Sequence, residues 1–305
     1  MIGSKDGNFN VAIFFSYSHD TCMIQKIALV VNPKAGNGRS LKLSAQLSLL
    51  LKEKQLEHEL FTNQWPRSFE GFTDVWIVGG DGTMNYFINH YPSIDLPLAI
   101  FKGGTGNDFA WKLYGDCSTE EQFEVVLQSS PQPVDAASCN DALYINGVGI
   151  GFDGEVLQSM KAIRFVGGHI GYYLVVIKEI LSFKESSFKI SGNHFQADEF
   201  FLLVMINNSS RTGGGFHVSP KASIKDGLLD LVLVKPLSVL KRFFYLPKIE
   251  KGKHLHLPIV QHITGTDFVI ECNKEIPAQL DGELIWAKRF VFSVKRNQFL
   301  FRYKE

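Results

Sequence analysis

The sequence has no excess of charge of either sign. Its 305 residues include 31 Lys and Arg and 31 Asp and Glu, so the formal net charge is zero. A protein without net positive charge has no overall field that attracts nucleic acid or an anionic membrane, and any such contact must come from a local group of basic residues. We therefore expect no nucleic-acid partner.

Cysteine is scarce, and long apolar runs are missing. Cys22, Cys117, Cys139 and Cys272 lie far apart and form no CxxC pair. This spacing indicates neither a zinc site nor a disulfide framework. The most apolar stretch, 163–181, is interrupted by Arg, His, Lys and Glu, so we do not expect it to span a membrane. These absences favour a cytoplasmic protein.

The first 25 residues are expected to be a peripheral extension. The apolar run 11–15 is too short for the hydrophobic region of a signal peptide, and no clear cleavage site follows it. Met23 stands just before the first convincing strand, 27–31. The folded core should therefore begin near residue 26.

Several common catalytic signatures are absent from the sequence. There is no GxSxG elbow and no HExxH motif, and the nine histidines show no metal-ligand spacing. A serine hydrolase with a nucleophile elbow and a zinc protease are therefore both disfavoured.

The stretch 77–85 is the strongest local signal in the chain. A short apolar run predicts a buried parallel strand, and three glycines then surround Asp81. Glycine lets the backbone approach a ligand closely, and the start of a helix adds free N–H donors for phosphate. A carboxylate beside phosphate is repulsive unless a cation lies between them, so Asp81 indicates a nucleotide with Mg²⁺. An ordinary strand-to-helix turn is the alternative for this motif alone.

Two further glycine turns follow predicted strands. The segment 32–40 comes after the strand 27–31, although Pro33 and Arg39 depart from a Walker A motif. The segment 102–109 comes after the strand 98–101 and carries Asp108. In a doubly wound sheet, ligands bind at the carboxyl ends of the strands, so these turns should share one site.

The pattern of predicted secondary structure changes near residue 135. Strand–turn–helix units up to 134 predict a doubly wound, three-layer α/β domain that binds nucleotide. From 135 to 289, short strand-like runs separated by turns predict a mainly antiparallel β-sandwich, interrupted by a helix over 165–181, that forms the substrate domain. We expect a cleft between the two domains.

A set of motifs occurs in an order that resembles one family. They are Asn32-Pro33-x-x-Gly36, Gly79-Gly80-Asp81-Gly82-Thr83, Gly104-Thr105-Gly106-Asn107-Asp108-Phe109, Ile150-Gly151-Phe152-Asp153, Gly213-Gly214-Gly215, Pro220-x-Ala222-x-x-x-Asp226-Gly227-x-Leu229-Asp230 and Asp281-Gly282-Glu283. In order and spacing the chain resembles the diacylglycerol kinase catalytic family, in its bacterial lipid-kinase form, and is similar to sphingosine kinases. The resemblance covers residues 26 to the C-terminus.

The resemblance implies a two-domain kinase that holds ATP on its first domain, to which residues 290–305 return. The implied nucleotide contacts lie in the three glycine turns and at Thr62. They are Asn32, Pro33, Lys34, Ala35, Gly36, Thr62, Gly79, Gly80, Asp81, Gly82, Thr83, Met84, Asn85, Thr105, Asn107 and Asp108.

The resemblance also implies two roles for Mg²⁺. Asp81, Asp108 and Asp135 would form a carboxylate network that organises the catalytic ion. A structural ion would bind in the loop 220–230, through the Asp226 carboxylate and backbone carbonyls near Ser223 and Leu228. Oxygen ligands suit a hard cation, and a plain turn is the alternative for this loop.

Asp281 and Glu283 flank a glycine, so both carboxylates could face one site. Phosphoryl transfer needs a base close to the attacking hydroxyl, and the resemblance places the proton acceptor in this pair. We favour Glu283 as the base and Asp281 as its orienting or metal-linked partner, but nothing in the sequence decides between them.

The implied activity is ATP-dependent transfer of a phosphoryl group to a lipid hydroxyl, with diacylglycerol or a related lipid alcohol as acceptor. One alternative is a NAD kinase-like enzyme, which would share the turn at 79–83 but not the motif at 104–109. The other is an inactive nucleotide-binding regulator, which would require the loss of a catalytic carboxylate, yet every matched position is intact.

A local basic segment offers a route to a membrane. It combines large apolar residues with five basic ones: Lys241, Arg242, Phe243, Phe244, Tyr245, Leu246, Lys248, Lys251 and Lys253. Such a mixture is typical of a peripheral contact with anionic head groups, here at the inner face of the membrane. The alternative is that the aromatic residues fill the core of the second domain.

Overall fold

The computed structural model describes residues 24–162 and 169–304. Residues 1–23 of the predicted extension, and the start of the helix predicted over 165–181, lie outside the described residues. Within the described part of the chain, no helix is both long and apolar enough to cross a membrane.

Strands and helices alternate in the first half of the chain, and strands dominate the second half. The strands are β1 Lys26–Val31, β2 Glu57–Phe61, β3 Asp74–Gly79, β4 Leu98–Lys102, β5 Pro131–Cys139, β6 Ala142–Tyr144, β7 Gly147–Gly151, β8 Ser186–Gly192, β9 Phe195–Phe201, β10 Leu203–Asn207, β11 Leu229–Val234, β12 Val260–Gly265, β13 Asp267–Leu280 and β14 Glu283–Arg302. The helices are α1 Arg39–Glu53, α2 Asp81–His90, α3 Asp108–Tyr114, α4 Thr119–Gln128, α5 Phe152–Ala162, α6 His169–Ser182 and α7 Val239–Glu250, with a 3-10 turn at Ala35–Gly38.

The first half is a three-layer α/β domain, as predicted. Strands β2, β1, β3 and β4 pair in parallel in that order. The strands β1 and β3 are apolar along most of their length because both faces of a parallel sheet are covered by helices. Leu47 and Leu51 of α1 pack on one face, and Met84 and Phe87 of α2 pack on the other.

The second half is built mainly from antiparallel strands, which confirms the predicted sandwich. Strands β12, β11, β10, β7 and β13 pair antiparallel in that order. The hairpin β8–β9 pairs with β13, and the side chains of these strands share one apolar core. Helices α5 and α6 form one smaller apolar cluster, and residues of α5 and α7 pack against β10 and β11 in another.

The long last strand returns to the first domain, as the resemblance implied. Strand β14 pairs antiparallel with β13 and β5, and Phe301 near its end pairs in parallel with Leu98 of β4. Arg302 forms a buried ion pair with Asp74 of β3, and burial raises the pKa of Asp74 while the guanidinium opposes that rise. The strands of both halves therefore form one continuous sheet.

Candidate active site

A groove of about 890 Å³ lies at the carboxyl ends of β1, β3 and β4. The glycine turns that follow these strands form one side of it, and the turn between β13 and β14 forms another. The groove is lined by ten of the predicted nucleotide contacts: Asn32, Pro33, Ala35, Gly36, Thr62, Gly80, Asp81, Gly82, Thr83 and Thr105. The glycine turns singled out in the sequence therefore lie together at this groove.

Two of the glycine turns touch through their backbones. A Cβ atom placed on Gly104 would lie 2.3 Å from the Cα atom of Gly80, so a side chain at Gly104 would force the turns apart. Gly80 also precedes the first residue of α2, whose N-terminal N–H groups have no partner within the helix. The contact thus brings a helix start and a second glycine turn to the same point, which suits phosphate.

Hydrogen bonds join the segment 32–39, which follows β1, to both of these glycine turns. The Asn32 Nδ2 atom donates to the Thr83 hydroxyl at 3.0 Å, and the Arg39 guanidinium donates to the carbonyl oxygen of Gly104 at 2.7 Å. Gly36 has a φ of +57°, and a Cβ atom there would lie 2.3 Å from the carbonyl oxygen of Gly103. Only glycine fits this close approach.

Asp81 connects the turn after β3 to the helix after β4. Its two carboxylate oxygens accept the backbone N–H groups of Asp108 and Phe109, each at 3.0 Å. One of the same oxygens also accepts the Asn146 side-chain amide at 3.2 Å. Asp81 therefore caps α3 and reaches the second domain at the same time.

Asp108 lies beside Asp81 and also contacts the second domain. Its carboxylate accepts the Arg211 Nε–H and the backbone N–H of Gly214, both at 2.7 Å. Burial and the neighbouring Asp81 charge raise the pKa of Asp108 to about 6, while Gly214 and Arg211 oppose that rise. Arg211 also packs over the Trp111 ring. Two carboxylates held this close favour a cation between or beside them.

The two carboxylates of the turn between β13 and β14 have different surroundings. Asp281 is buried, has a φ of +46°, and accepts the backbone N–H groups of Ile145, Asn146 and Gly147 at 2.7 to 3.0 Å. Burial raises its pKa to about 6, against the effect of these hydrogen bonds. Glu283 is exposed at the groove.

Glu283 reaches the start of α2. A Cβ atom placed on Gly82 would lie only 3.5 Å from the Glu283 Oε1 atom. The carboxylate is therefore beside the glycine turn and at the open side of the groove, where a reacting hydroxyl has access.

Asp135 belongs to a different part of the structure from Asp81 and Asp108. Its carboxylate accepts the backbone N–H groups of Gly227 and Asn297 at 2.7 and 2.8 Å. Among the described residues, no three His, Cys, Asp or Glu side chains lie close enough together to hold a metal ion. The predicted network of three carboxylates is therefore not formed, because β5 directs Asp135 toward the loop 220–230.

The loop 220–230 places Asp226 near the carboxylates of Asp230 and Asp135. The Asp226 carboxylate accepts the N–H of Leu228 at 3.0 Å. Burial raises the pKa of Asp226, and the charges of Asp230 and Asp135 raise it further. Carboxylates that repel one another beside backbone carbonyls fit an oxygen-liganded cation such as Mg²⁺.

Some predicted contacts do not line the groove. Met84 is fully buried in the core, and the Asn85 amide donates to the carbonyl of Leu143. Asn107 bonds Gly104 through both its amide and its carbonyl oxygen, so it shapes the turn. Lys34 and Gly79 also lie outside the lining.

Sequence reasoning missed several residues of the site. Asn146 and Arg211 stand outside every motif, and they act through contacts made across the domain boundary. Trp65, Tyr86 and His90 form an aromatic wall of the groove, with 5.3 Å between the ring centres of Trp65 and Tyr86. No periodic or glycine signal marks these positions.

Known sequence families match almost the whole described chain. Residues 26–139 match the diacylglycerol kinase catalytic domain, and residues 146–295 match the YegS C-terminal NAD kinase beta sandwich-like domain. The two matches together show a chain with the two-domain organisation of diacylglycerol kinase-like proteins. Residues 26–139 therefore belong to the diacylglycerol kinase catalytic-domain family.

The matches to individual relatives extend over most of the length of each relative. A probable lipid kinase YegS-like protein of Shewanella frigidimarina is 29% identical over 227 residues, which are 72% of this chain and 73% of that protein. A diacylglycerol kinase of Mycobacterium tuberculosis is 25% identical over 271 residues, 82% of this chain and 86% of its own. The crystal structure of a putative diacylglycerol kinase from Bacillus anthracis has the same fold, with a TM-score of 0.73 at 24% identity over 92% of this chain and 98% of that one.

Proposed function

We propose that the protein is an ATP-dependent lipid kinase that phosphorylates the hydroxyl of diacylglycerol or a related lipid alcohol. The observation that carries the proposal is the groove itself, where two touching glycine turns and the start of α2 face the Glu283 carboxylate. The turns supply N–H donors for phosphate, and the carboxylate supplies a base next to them.

ATP would occupy the groove with its phosphates at the turns 79–83 and 104–106. Asn32, Thr62 and Thr105 offer polar groups along the same surface. Trp65 and Tyr86 line the groove as aromatic surfaces on which a flat base could pack.

Mg²⁺ would be held at two places. Asp81 and Asp108 would hold the catalytic ion, because each carboxylate oxygen can accept more than the single hydrogen bond that most of them make here. When bound, this ion neutralises phosphate charge. Asp226, with the carbonyls of Ser223 and Leu228, would hold a second ion that stabilises the loop 220–230.

Glu283 would act as the general base. The hydroxyl oxygen of the lipid forms a bond to the γ-phosphorus while the bond from that phosphorus to the bridging oxygen of ADP breaks, and the proton passes to Glu283. Asp281 would act as a positioning residue, since its three backbone hydrogen bonds fix the turn that carries Glu283.

The two alternative functions have less support. A NAD kinase-like enzyme would share the sandwich fold, but its soluble substrate gives no reason for the apolar cavity in the second domain. An inactive regulator would not need an exposed carboxylate beside the glycine turns.

Helix α7 supports a peripheral contact with an anionic bilayer. Leu240 and Phe244 are 83% and 64% exposed, and Lys248 lies over the Phe244 ring. The opposite side of the helix faces the protein, since Arg242 is buried against Glu185 and Tyr245 packs on the core. Part of the aromatic segment is therefore core, and part is exposed beside lysines, which supports a membrane contact for the exposed residues alone.

The test of the proposed function uses radiolabelled ATP and the full chain. With Mg²⁺ present, we expect label to enter the lipid fraction of a total lipid extract, and Asp81→Asn to remove that transfer while the circular dichroism spectrum stays unchanged. Formation of labelled NADP from NAD, with no labelled lipid, would contradict the proposal.

A further inference from the structure

The segment 211–216, which lies between β10 and β11, holds both oxygens of one carboxylate in the first half of the chain. The Arg211 Nε atom donates to one oxygen of Asp108, and the backbone N–H of Gly214 donates to the other, each at 2.7 Å. Asp108 is the first residue of α3. The substrate half of the chain therefore supplies a positive charge to a carboxylate of the nucleotide half.

The backbone of this segment forms a tight hairpin. Thr212 and Phe216 each donate the backbone N–H to the carbonyl oxygen of the other, at 3.0 and 2.9 Å. The three glycines between them have φ values of +64°, +77° and +136°, which glycine adopts without strain. A Cβ atom placed on Gly106 would lie 3.4 Å from the Cα atom of Gly214, so the hairpin packs directly on the turn after β4.

The Arg211 side chain is held in place beside Asp108. Its guanidinium lies over the ring of Trp111, a residue of the same helix as Asp108, with 4.6 Å between the Cζ atom and the ring centre. The side chains of Arg211 and Asp108 are only 15% and 6% exposed. Stacking on an aromatic face and limited contact with water both favour a persistent ion pair.

This ion pair changes the charge of the proposed metal site. Asp81 and Asp108 are close, since the Asp81 carboxylate accepts the backbone N–H of Asp108 at 3.0 Å. Of the basic side chains that the structure describes, Arg211 alone forms an ion pair with either carboxylate. The guanidinium offsets one of the two negative charges, and it also repels a cation that approaches the pair.

We propose that Arg211 is a positioning residue that acts through Asp108 and keeps the affinity of the carboxylate pair for free Mg²⁺ low. The ion then binds firmly only when nucleotide phosphates add their own oxygens and negative charge, and it leaves with ADP. This inference rests on the proposed function, because it takes Asp81 and Asp108 as the ligands of the catalytic ion.

A purely structural role of Arg211 predicts the opposite effect on the metal. If the ion pair served only to join the two halves, its loss would release Asp108 and weaken binding of the ion. A counter-charge predicts tighter binding after its removal. The direction of the change in metal affinity therefore separates the two roles.

The first test measures metal binding without nucleotide. Mn²⁺ prefers the same oxygen ligands as Mg²⁺, and electron paramagnetic resonance reports its free concentration. In the full chain, we expect Arg211→Met to lower the Kd for Mn²⁺ at the carboxylate pair by at least about tenfold. Adding Asp81→Asn to the wild type and to Arg211→Met identifies the binding that belongs to this pair and separates it from ions bound elsewhere.

The matched control is Arg289→Met, which removes a surface arginine that pairs with Glu271 and is 59% exposed. It should leave the Kd unchanged. An unchanged or higher Kd in Arg211→Met would overturn the inference, while transfer of label to lipid by the wild type would leave the kinase proposal in place. If Asp81→Asn changed Mn²⁺ binding in neither protein, the pair would hold no ion, and the inference would fail together with the proposed metal role.

Two further variants separate charge from shape and cover a failure of Arg211→Met to fold. Arg211→Gln keeps a donor for Asp108 without the charge, and it should show the same direction of change. Arg211→Lys keeps the charge and should retain the wild-type Kd. A gain in Arg211→Lys as large as that in Arg211→Gln would assign the effect to the shape of the side chain and overturn the inference.

The second test follows the release of a fluorescent ADP analogue by stopped flow. With Mg²⁺ present, release from Arg211→Met should be about tenfold slower than from the wild type, because the carboxylate pair holds the ion more tightly. Without Mg²⁺, release should not be slower. Equal slowing with and without Mg²⁺ would show that Arg211 acts on the nucleotide directly, and release that is not slowed with Mg²⁺ would also overturn the inference.

Discussion

Glu283 and Asp281 stand two positions apart, but the surroundings of their carboxylates are opposite. Asp281 is buried against the backbone of residues 145–147, up to 136 positions away in sequence, and Glu283 is exposed at the groove. The spacing of the motif located the pair from sequence. It could not separate their roles, because burial depends on a segment that lies far away in the chain.

The two roles predict different effects of substitution. Glu283→Gln should lower kcat by ~10²–10⁴, the usual contribution of a general base, with little change in melting temperature. Asp281→Asn should lower the free energy of unfolding by about 1–3 kcal/mol, because buried N–H donors lose a carboxylate acceptor. Steady-state kinetics of both variants measures the change in kcat, and their thermal unfolding measures the change in stability. Full activity of Glu283→Gln would reverse the assignment.

The raised pKa of Asp153 predicts that this group makes the stability of the protein depend on pH. The variant Asp153→Asn should remove this contribution. Burial raises the pKa of this carboxyl from 3.8 to about 6. The unfolded chain then releases this proton at lower pH than the folded protein does, so the group's stabilising contribution declines as the pH rises through that interval. Asp153→Asn cannot ionise and lacks this decline.

The expected result is a difference that changes with pH. The free energy of unfolding of Asp153→Asn minus that of the wild type should increase from about pH 4 to about pH 6 and then level off. Denaturant titrations across this range measure it, and a difference independent of pH would contradict the buried, raised-pKa carboxyl.

At the scale of elements, local signals were sufficient for the strand–turn–helix units. Strands β1, β3 and β4 and the glycine turns after them were predicted because apolar runs and glycines are adjacent in sequence. The pairing of β14 with β13, β5 and β4 depends on strands far apart in the chain. The resemblance grouped Asp135 with Asp81 and Asp108, whereas its carboxylate contacts Gly227 and Asn297, which are far from both in sequence.

The buried ion pair between β14 and β3 should be important for stability. Arg302→Met leaves the Asp74 carboxylate buried without its partner, so we expect the free energy of unfolding to fall by ~3–5 kcal/mol. Adding Asp74→Asn removes the unpaired charge and should recover part of that loss. Denaturant unfolding of the single and double variants completes the comparison. An unchanged midpoint for Arg302→Met would show that the pair contributes little.

Helix α7 gives a prediction about membrane binding. Replacing Lys248, Lys251 and Lys253 with glutamine should weaken binding to anionic vesicles, since each basic residue near such a surface contributes ~1 kcal/mol. The matched control replaces Lys42, Lys52 and Lys288, which belong to α1 and β14. Vesicle sedimentation at low and moderate salt measures both. Equal binding of the triple variant and the control would exclude α7 as the contact.

At the scale of the whole molecule, the two halves share a single sheet. The sequence predicted two domains with a cleft, but the continuous order from β12 through β14 to β2 could not be derived from it. A shared sheet predicts one cooperative transition, because neither half can lose its strands without exposing the other. Unfolding followed by circular dichroism and by tryptophan fluorescence should therefore coincide. Two separated transitions would indicate independent halves.

The return of β14 also has a consequence during protein synthesis. The ribosome releases β1 to β4 first, but the neighbour of β4 is made about 200 residues later. Until then, the nascent nucleotide-binding half has an unpaired strand edge, which can pair with other chains. The first half of the chain is therefore expected to need protection, by a chaperone or by rapid completion, until its last strand has left the ribosome.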